Sequence, residues 1–499
     1  ILLGYPDVFA YKVVVTNPTI NVTSGVSDTT INIQKGADFD GRIWLKSKAA
    51  LNISSIVISD QSSSNGGAIF NGSANGEMTF ADVTFSGNQA RGSDTYGGAI
   101  YNYGSPFKHT GGAYVGNSIV ATSSPTNKTG AGGGAVMLKG NPGTVFTDVL
   151  FSDNSATAVK GDTDGGYALG GAVMVDFSTG NATGVERASD VEFRITKDLT
   201  YSGNTVSSDS TRELFDTYGY HLNHAAAGGF LFLDRGSAAA FNIDEGVTLT
   251  IGSTVTNDDT DSIASSIPNT GVTTNGGKHA SISKVGSGHL LINSSLNKYY
   301  GTVDVQAGQM TVNSNWDVKN AVTVDEGATL TLGSIKLVDA ENSGNQDVTG
   351  AAIGGSLTVA GTLQTSSGQV FTSALNEAGT TASAGELIYG EDKLNISGTL
   401  ALTDALYNLD YAQSAGALVQ SGKVIMLGDL INAGEIDNEL TLDEVENVGE
   451  NVELNNVTIS SEDQNIQIGG TKQSEVAYRE NSLAVGALSL GTADTVTVT

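Results

Sequence analysis

Two short motifs alternate through residues 66–231 and constrain the fold more than any other feature of the sequence. Gly-Gly followed by Ala and an aliphatic residue occurs at 66–69, 97–100, 133–136 and 170–173, with a degenerate copy at 228–231. Between these copies an aromatic residue is followed three positions later by Asn, at Phe85 and Asn88, Tyr114 and Asn117, Phe151 and Asn154, and Tyr201 and Asn204. Such a repeat is typical of a solenoid, in which each copy forms one coil that stacks on the next.

Each motif has a physical role in a coil of this kind. Glycine adopts backbone conformations that other residues avoid, so Gly-Gly suits a tight corner, and the Ala keeps that corner thin. Asn can turn the chain, tolerate a left-handed conformation and hydrogen-bond to the Asn one coil away. We therefore expect these residues to build the scaffold and to bind no ligand.

The rest of the chain alternates apolar and polar residues with a period of two, as strands with one buried face do. Clear examples are residues 247–251 and 328–332, which belong to a longer repeat, 243–253 and 324–334, with weaker copies at 355–363 and 394–402. Sustained helical periodicity is absent. The pattern predicts an all-β, three-stranded parallel β-solenoid that forms a single elongated rod, with about 20–25 residues per coil and neighbouring coils about 4.8 Å apart.

Composition excludes several functional classes. The 499 residues include 53 acidic and 24 basic side chains, a formal charge of −29, whereas nucleic-acid binding needs a strongly positive surface. The chain contains no Cys, which excludes zinc ribbons, thiol catalysis and disulfide frameworks. Apolar runs stay below the roughly 18–20 residues of a membrane-spanning helix.

The motifs divide the chain into three segments. Residues 1–60 are expected to form an N-terminal cap and the first coils, 61–240 the coils with the two motifs and long insertions, and 241–499 a regular β-helix with C-terminal coils. The first residues lack the basic region of a signal peptide, which suggests a mature or trimmed chain.

The motifs of residues 60–235 resemble the repeats of polymorphic outer-membrane autotransporters. A second resemblance begins at Lys284, continues through 286–291 and 300–305, and ends at 308–312. It is similar to the passenger-associated repeat of AIDA-type autotransporters, with Met310 in place of the usual Leu. These resemblances imply a right-handed parallel β-helix that is displayed at the bacterial cell surface or outer membrane, or secreted. They also imply that membrane attachment comes only from a C-terminal barrel, which these residues do not include.

Enzyme signatures are weak in this sequence. The Gly-Asp-Ser-Gly and Gly-Asp-Ser-Leu motifs of passenger proteases and esterases are missing. His221 and His224 lie three residues apart, which is a poor metal signature outside a helix. Carboxylate groups at 162–164 and 258–261 could serve a polysaccharide-degrading enzyme, but close pairs arise by chance in so acidic a chain, and surface solvation explains them better. We therefore expect no catalytic residue, metal or cofactor.

Two clusters are candidates for binding. One combines aromatic and charged residues that suit sugar stacking or protein contacts, Arg212, Tyr218, Tyr220 and His221, although their neighbours Leu214 and Phe215 could instead cap the local core. The other could line a groove for a sulfated or carboxylated glycan, or form a solvated face, and comprises Lys160, Asp162, Asp164, Tyr167, Arg187 and Arg194.

These observations favour an adhesin. Its expected partners are host-surface glycans of the glycosaminoglycan type or a matrix protein such as fibronectin, with no nucleic acid. Two alternatives remain open. Passengers on neighbouring cells could pair along their lengths and drive aggregation and biofilm, or the chain could be a polysaccharide-degrading β-helix enzyme.

Overall fold

The computed structural model describes two compact units, residues 1–301 and 302–499. The described residues are 8–11, 21–24, 29–33, 42–45, 49–72, 77–122, 129–159, 166–176, 178–179, 186–187, 189–209, 225–252, 260–267, 278–314, 316–318, 320–332 and 335–337, followed by separate strands between 351 and 498. Within these ranges the chain forms strands and no helix. Consequently, none of the described residues forms a helix that could span a membrane.

The first unit contains 34 described strands. They are β1 Val8–Tyr11, β2 Asn21–Ser24, β3 Thr29–Ile33, β4 Arg42–Leu45, β5 Ala49–Ser54, β6 Val57–Ser59, β7 Ser62–Ser63, β8 Ile69–Asn71, β9 Met78–Ser86, β10 Gln89–Gly92, β11 Asp94–Tyr96, β12 Ile100–Tyr103, β13 Phe107–Val115, β14 Ser118–Thr122, β15 Thr129–Gly132, β16 Val136–Lys139, β17 Thr144–Thr147, β18 Leu150–Ser152, β19 Ser155–Val159, β20 Gly166–Leu169, β21 Val173–Asp176, β22 Ser178–Thr179, β23 Glu186–Arg187, β24 Asp190–Ile195, β25 Leu199–Tyr201, β26 Thr205–Ser208, β27 Ala226–Ala227, β28 Leu231–Leu233, β29 Ala238–Ile243, β30 Thr248–Ile251, β31 Ile263–Ser265, β32 Ser281–Val285, β33 His289–Ile292 and β34 Leu296–Tyr299.

These strands pair into long sheets along the solenoid. Sheet 1 is β1-β4-β8-β12-β16-β21-β28-β31, sheet 2 runs through β3, β5, β9, β13, β17, β24, β29 and β32, sheet 3 is β7-β10-β14-β19-β26, sheet 4 is β11-β15-β20-β27, and sheet 5 is β25-β30-β33. The pairings between successive coils are parallel, whereas β1 with β4, β2 with β3 and β22 with β23 are antiparallel. The expected parallel β-helix is therefore confirmed.

The expected coil length is wrong for the coils between residues 88 and 204. Asn residues that hydrogen-bond from coil to coil lie 29, 37 and 50 residues apart, well beyond 20–25. The reason is that each of these coils adds a strand of sheet 3 and a strand of sheet 4 to those of sheets 1 and 2.

The second unit contains 24 described strands. They are β35 Thr302–Val305, β36 Gln309–Val312, β37 Trp316–Val318, β38 Val322–Val324, β39 Thr329–Leu332, β40 Ile335–Leu337, β41 Ala351–Ile353, β42 Leu357–Val359, β43 Thr362–Thr365, β44 Leu387–Tyr389, β45 Leu394–Ile396, β46 Thr399–Leu402, β47 Leu406–Asn408, β48 Leu418–Gln420, β49 Lys423–Met426, β50 Leu430–Asn432, β51 Leu440–Leu442, β52 Glu444–Glu446, β53 Asn451–Leu454, β54 Val457–Ile459, β55 Asn465–Ile468, β56 Ser482–Val485, β57 Leu488–Leu490 and β58 Thr495–Val498.

The second unit is also a stack of parallel strands. Its sheets are β35-β38-β42-β45-β48-β51-β54-β57, β36-β39-β43-β46-β49-β52, β37-β41-β40, β44-β47-β50-β53-β56 and β55-β58. The register places Lys423 beside Thr399, a separation within the expected coil length, but it places Leu394 beside Leu357, a separation well beyond it. Met310 is fully buried, so it fills the inward position that Leu takes in the resembling repeat. The segment boundaries at 60 and 240 and the single rod stay predictions.

The Gly-Gly corners are confirmed as close backbone contacts. The first Gly of each copy has a positive φ, between 57° at Gly66 and 75° at Gly228. The second Gly lies against the backbone of the next coil, and a Cβ atom on Gly134 would overlap the carbonyl oxygen of Gly171. A side chain at this position would therefore force the coils apart.

The expected Asn ladder is also present, and each rung has several hydrogen bonds. The Asn88 amide nitrogen donates to Asn117 Oδ1 at 3.0 Å, Asn117 to Asn154 at 3.0 Å, and Asn154 to Asn204 at 2.9 Å. The ladder ends at Asp261, which accepts from the Asn204 side chain and from the backbone N–H groups of Gly203 and Asn204, each at 2.8 Å. An acceptor-only carboxylate fits there because these three partners are donors.

Lys284 gives the second motif a structural explanation. Its side chain is fully buried and donates from Nζ to the carbonyl oxygens of Val285 at 3.0 Å and Gly286 at 2.7 Å. Burial lowers the pKa of Lys284 to about 8. The Lys of the Lys-x-Gly-x-Gly motif therefore stabilises the glycine corner that follows it, by hydrogen bonds to the carbonyl groups of that corner.

Stacked aromatic rings fill the interior between sheets 1 and 2. Phe85, Tyr114 and Phe151 stack on successive coils with centroids 5.0 and 5.1 Å apart. His109 lies among these rings, fully buried, with its Nδ1 3.1 Å from the Tyr114 hydroxyl and its Nε2 3.1 Å from the Val83 carbonyl. Since a carbonyl only accepts, Nε2 carries the proton and donates to Val83, and the Tyr114 hydroxyl donates to Nδ1.

His109 is expected to make the fold sensitive to acid. Burial lowers its pKa to about 3 from 6.5, so the unfolded chain binds the proton more readily than the folded one. Stability should therefore fall as pH drops from 6.5 towards 3, by roughly 3–5 kcal/mol from this group alone. Guanidinium unfolding across this pH range should show a smaller acid loss for His109→Gln than for the wild type. Equal acid losses in both proteins would contradict this role.

Candidate functional site

Sheet 4 lies between sheets 3 and 1. One side of sheet 4 packs against sheet 3 through small side chains, including Ala131 and Ala168 of sheet 4 and Ala121 and Ala158 of sheet 3. Small residues allow the two sheets to approach closely. Sheets 3 and 4 thus form a thin two-layered part of each coil, which we call the arm. The Gly-Gly-Ala corners join this arm to sheet 1.

The other side of sheet 4 faces sheet 1. Leu169 and Ala227 of sheet 4 pack there against Met137, Met174 and Phe232 of sheet 1, and all five are buried. The strands of sheet 1 are thus covered on both faces, by the core and by the arm. This explains why strand β21, Val173–Asp176, is buried at every position instead of at alternate ones.

A patch of aromatic and charged side chains remains accessible where sheets 1 and 4 meet. We call it the tyrosine patch, and it comprises Phe70, Asp94, Tyr96, Tyr101 and Lys139. Asp94 is exposed and the other four are half-buried. The rings of Phe70 and Tyr101 stack with centroids 5.1 Å apart and planes inclined by 16°. The patch therefore combines a stacked pair of aromatic rings with a carboxylate and an amine.

A directed chain of hydrogen bonds runs through the tyrosine patch. The Tyr96 hydroxyl donates to Asp94 Oδ1 at 2.8 Å, and it lies 2.8 Å from the hydroxyl of Tyr167. Because the Tyr96 proton goes to Asp94, Tyr167 donates to Tyr96. Burial is the main reason that the pKa of Tyr96 lies well above its usual value, and burial also raises the pKa of Asp94. The tyrosines consequently stay protonated at neutral pH.

The amine of the tyrosine patch is neutralised within the protein. Lys139 Nζ lies 2.9 Å from Asp176 Oδ2, and Asp176 is the main reason that the pKa of Lys139 is raised. Behind this pair lies Asp234, fully buried, which accepts a hydrogen bond from Ser266 at 2.6 Å. Burial and the neighbouring Asp176 raise the pKa of Asp234 well above its usual value. Only Asp94 therefore adds a net charge at the surface of the patch.

The structure places three of the predicted binding residues on the described part of the chain. Tyr167 lies beneath the tyrosine patch and is 6% exposed. Arg187 ends strand β23, whose antiparallel partner β22 begins two residues after Asp176. Arg194 is exposed on sheet 2, whereas Tyr167 belongs to sheet 4, so the two residues lie on different sheets.

The remaining predicted binding residues lie outside the described residues, and they stay predictions: Lys160, Asp162, Asp164, Arg212, Tyr218, Tyr220 and His221. Their segments, 160–165 and 210–224, connect sheet 3 to sheet 4 in successive coils. The acidic group at 258–261 is described only at its last residues, where Asp261 belongs to the buried Asn ladder. Among the described residues, no three His, Asp or Glu side chains are grouped as metal ligands would be.

The binding clusters predicted from the sequence include none of the five residues of the tyrosine patch, Phe70, Asp94, Tyr96, Tyr101 and Lys139. A signal for them was present in residues 136–138, 173–175 and 231–233, which are continuously apolar. Such runs indicate strands covered on both faces. They therefore pointed to an additional layer outside sheet 1, and to a junction where polar side chains meet it.

Comparison with known proteins finds one matching repeat family and a similar protein named as a probable autotransporter. Residues 82–103 match the Chlamydia polymorphic membrane protein repeat. This segment contains the motifs at 85–88 and 97–100. The chain is 27% identical over 344 residues to the probable autotransporter YfaL of Escherichia coli strain K12, covering 63% of this chain and 26% of that protein. The chain thus spans about a quarter of the length of that relative. No solved structure matches it.

These two matches support the resemblance to autotransporters that the motifs indicate. The chain is similar to surface-displayed autotransporter passengers, and its parallel β-helix agrees with that similarity. The receptor of such a passenger follows from neither match.

Proposed function

We propose that this chain is part of an autotransporter passenger displayed at the bacterial surface, where it acts as an adhesin for host glycans or a matrix protein. The tyrosine patch is the observation that carries this proposal. The residues of the scaffold motifs form their hydrogen bonds and close contacts with one another, in the Asn ladder and at the Gly-Gly corners. The tyrosine patch instead combines accessible aromatic rings with charged side chains, which is the composition of a recognition surface.

The insertions support the same proposal. In the sequence, segments 123–128, 160–165 and 210–224 each stand between a strand of sheet 3 and a strand of sheet 4. Loops on a rigid solenoid are common carriers of binding function. Both clusters predicted from the sequence include residues of these segments, and strand β20, which follows segment 160–165, carries Tyr167.

Binding of the purified chain to immobilised heparin and to fibronectin tests this proposal. Binding should be measured over a range of salt concentrations, and released sugar should be assayed in the same samples. Saturable binding to either ligand without sugar release supports an adhesin, and a strong fall with salt would indicate an ionic contact. Absence of binding to both ligands and to uncharged glycans would refute the adhesin, and sugar release would favour the polysaccharide-degrading enzyme.

Self-association is a second candidate, favoured by the outward face of sheet 3. This face carries hydroxyl side chains on adjacent strands, among them Ser155, Thr157, Thr205 and Ser207, and Ser207 donates to Thr157 at 3.2 Å. Many weak hydrogen bonds of this kind could add along two aligned chains. Analytical ultracentrifugation should then show concentration-dependent dimers, which Thr157→Lys and Ser207→Lys together should abolish.

A further inference from the structure

We propose that Asp176 and Asp234 share a single proton inside the protein at neutral pH, and that loss of this proton in alkali opens the contact between strands β21 and β28. The pair then acts as a pH-sensitive element at the junction of sheet 1 with the arm. This inference concerns the scaffold and does not depend on the proposed adhesin function. Three features of the residues around the pair lead to it.

The first feature is the register of sheet 1, which places four polar side chains in one file across four coils. Lys139 lies opposite Asp176 in the pairing of β16 with β21. The pairings of β21 with β28 and of β28 with β31 then place Asp234 between Asp176 and Ser266. Residues at paired positions of parallel strands point to the same face of the sheet, one strand spacing of about 4.8 Å apart. The two carboxyl groups are therefore direct neighbours.

The second feature is burial, together with a carboxyl oxygen that lacks a donor. Asp176 is 1% exposed and Asp234 is 0% exposed. Asp234 Oδ1 accepts a hydrogen bond from Ser266 Oγ at 2.6 Å, whereas Asp234 Oδ2 has no donor among the described residues. A buried carboxylate oxygen without a donor is costly, but a protonated carboxyl group turns that oxygen into a donor. The neighbouring Asp176 carboxylate is the acceptor for this proton.

The third feature is charge. Lys139 Nζ lies 2.9 Å from Asp176 Oδ2 and compensates one of the two negative charges that the pair could carry. Two neighbouring carboxylates in a low-dielectric interior repel each other, so that one of them keeps its proton. Arg235 favours the charged form of Asp234, but burial and Asp176 outweigh it and hold the pKa of Asp234 well above its usual value. We therefore place the proton on Asp234.

Three other titratable groups lie near the pair. Tyr103 lies opposite Lys139 in the register of β12 with β16, and Tyr101 precedes Tyr103 by two positions on the same strand. From the arm, Asp94 interacts with Lys139. Burial raises the pKa of Tyr101 to about 12. A carboxylate and two phenols add no positive charge beside the pair.

The raised pKa of Asp234 fixes the direction of the pH effect. The folded chain binds this proton more tightly than the unfolded chain, so its contribution to stability is complete below the unfolded pKa and is lost as pH rises through the folded pKa. Once ionised, Asp234 is a second buried negative charge that has to be hydrated. The backbone contact beside it, where the Asp234 N–H donates to the Val175 carbonyl at 2.8 Å, should then open.

Infrared difference spectroscopy of the chain with carbon-13-labelled aspartate detects the proton directly. A protonated carboxyl group and a carboxylate absorb at different frequencies, and exposed Asp side chains are carboxylates at neutral pH. We expect a protonated Asp signal in the neutral wild type, its disappearance on titration with alkali, and its absence from Asp234→Asn. Asp176→Asn should move the disappearance to lower pH, because the neighbouring charge is gone.

Unfolding in guanidinium measures the consequence for stability. Asp234→Asn keeps the shape of the side chain and replaces the acid proton by an amide donor, so it should fold. Relative to this variant, the wild type should lose about tenfold in its folding equilibrium constant per pH unit, from about pH 5 to the pH at which the infrared signal disappears. Asp244→Asn is the matched control, since Asp244 is exposed and this variant should follow the wild type. Above that pH, hydrogen exchange at the Asp234 amide should be faster in the wild type than at the same position in Asp234→Asn.

The inference is overturned if the neutral wild type shows no protonated Asp, or if Asp234→Asn retains the infrared signal. It is also overturned if the wild type and Asp234→Asn lose stability in parallel across the pH range, since Asp234 would then be ionised and paired with Arg235. The infrared titrations of the wild type and of Asp176→Asn test the shared proton even if Asp234→Asn fails to fold. Equal pH values for the loss of the signal in these two proteins would contradict the coupling between Asp176 and Asp234.

Discussion

Gly134→Ala is expected to lower the free energy of unfolding by at least about 4 kcal/mol. Few single substitutions destabilise a protein this much, and overlap of a new side chain with packed backbone atoms is one mechanism that does. The added Cβ would overlap the carbonyl oxygen of Gly171 on the next coil and lie 2.5 Å from that of Ser155. Both obstacles are backbone atoms, so no side-chain rotation relieves the overlap. Guanidinium unfolding followed by far-UV circular dichroism measures the loss.

Two further glycines separate this steric effect from other consequences of losing a Gly. Gly92 has space for a Cβ, with the nearest atom 3.8 Å away, and its φ is not positive, so Gly92→Ala should be nearly neutral. Gly143 also has open space but a φ of 72°, so Gly143→Ala should cost about 1 kcal/mol from backbone strain alone. Similar losses for Gly134→Ala and Gly143→Ala would show that the coils can shift apart cheaply.

The scaffold could be predicted from the sequence because short sequence motifs determine its contacts and these motifs repeat along the chain. A Gly that touches the next coil, or an Asn that bonds to the next Asn, recurs at equivalent positions in the described coils between residues 66 and 204. Coil length could not be predicted in the same way. The two additional strands per coil alternate like the others, and only the burial of both faces of β16, β21 and β28 distinguishes the coils that carry an arm.

The candidate site was only partly predictable, for a different reason. Tyr167 stood out because it lies beside charged residues in the sequence, but Tyr96 and Tyr101 look like ordinary strand residues. They meet only because sheet 4 folds back onto sheet 1 around a Gly-Gly corner. Lys139 and Asp176 are 37 residues apart and become neighbours through the register of β16 with β21. Contacts of this type depend on the coil register, which no local pattern fixes.

Asn154→Ala is expected to destabilise the fold by about 3–5 kcal/mol, because it removes four hydrogen bonds from the interior and leaves buried polar groups without partners. Asn154 donates to Asn204 at 2.9 Å and to the Tyr114 carbonyl at 3.0 Å. Its Oδ1 accepts from both the backbone N–H and the side chain of Asn117, each at 3.0 Å. The measurement is the shift in free energy of unfolding in guanidinium.

A matched variant shows whether the ladder, or merely the loss of an amide, causes this effect. Asn242 is half-buried and donates to Glu192 at 2.8 Å, so Asn242→Ala removes an accessible hydrogen bond and should cost less than about 1 kcal/mol. Asn154→Asp extends the comparison, since it keeps the acceptor oxygen but loses both donated bonds and buries a charge. Asn154→Asp should therefore be at least as damaging as Asn154→Ala at neutral pH and should partly recover in acid, where the carboxyl binds a proton and can donate again. If Asn154→Ala and Asn242→Ala cost the same, the ladder contributes no more than a surface hydrogen bond, and the stacked Asn residues would not hold the coils together.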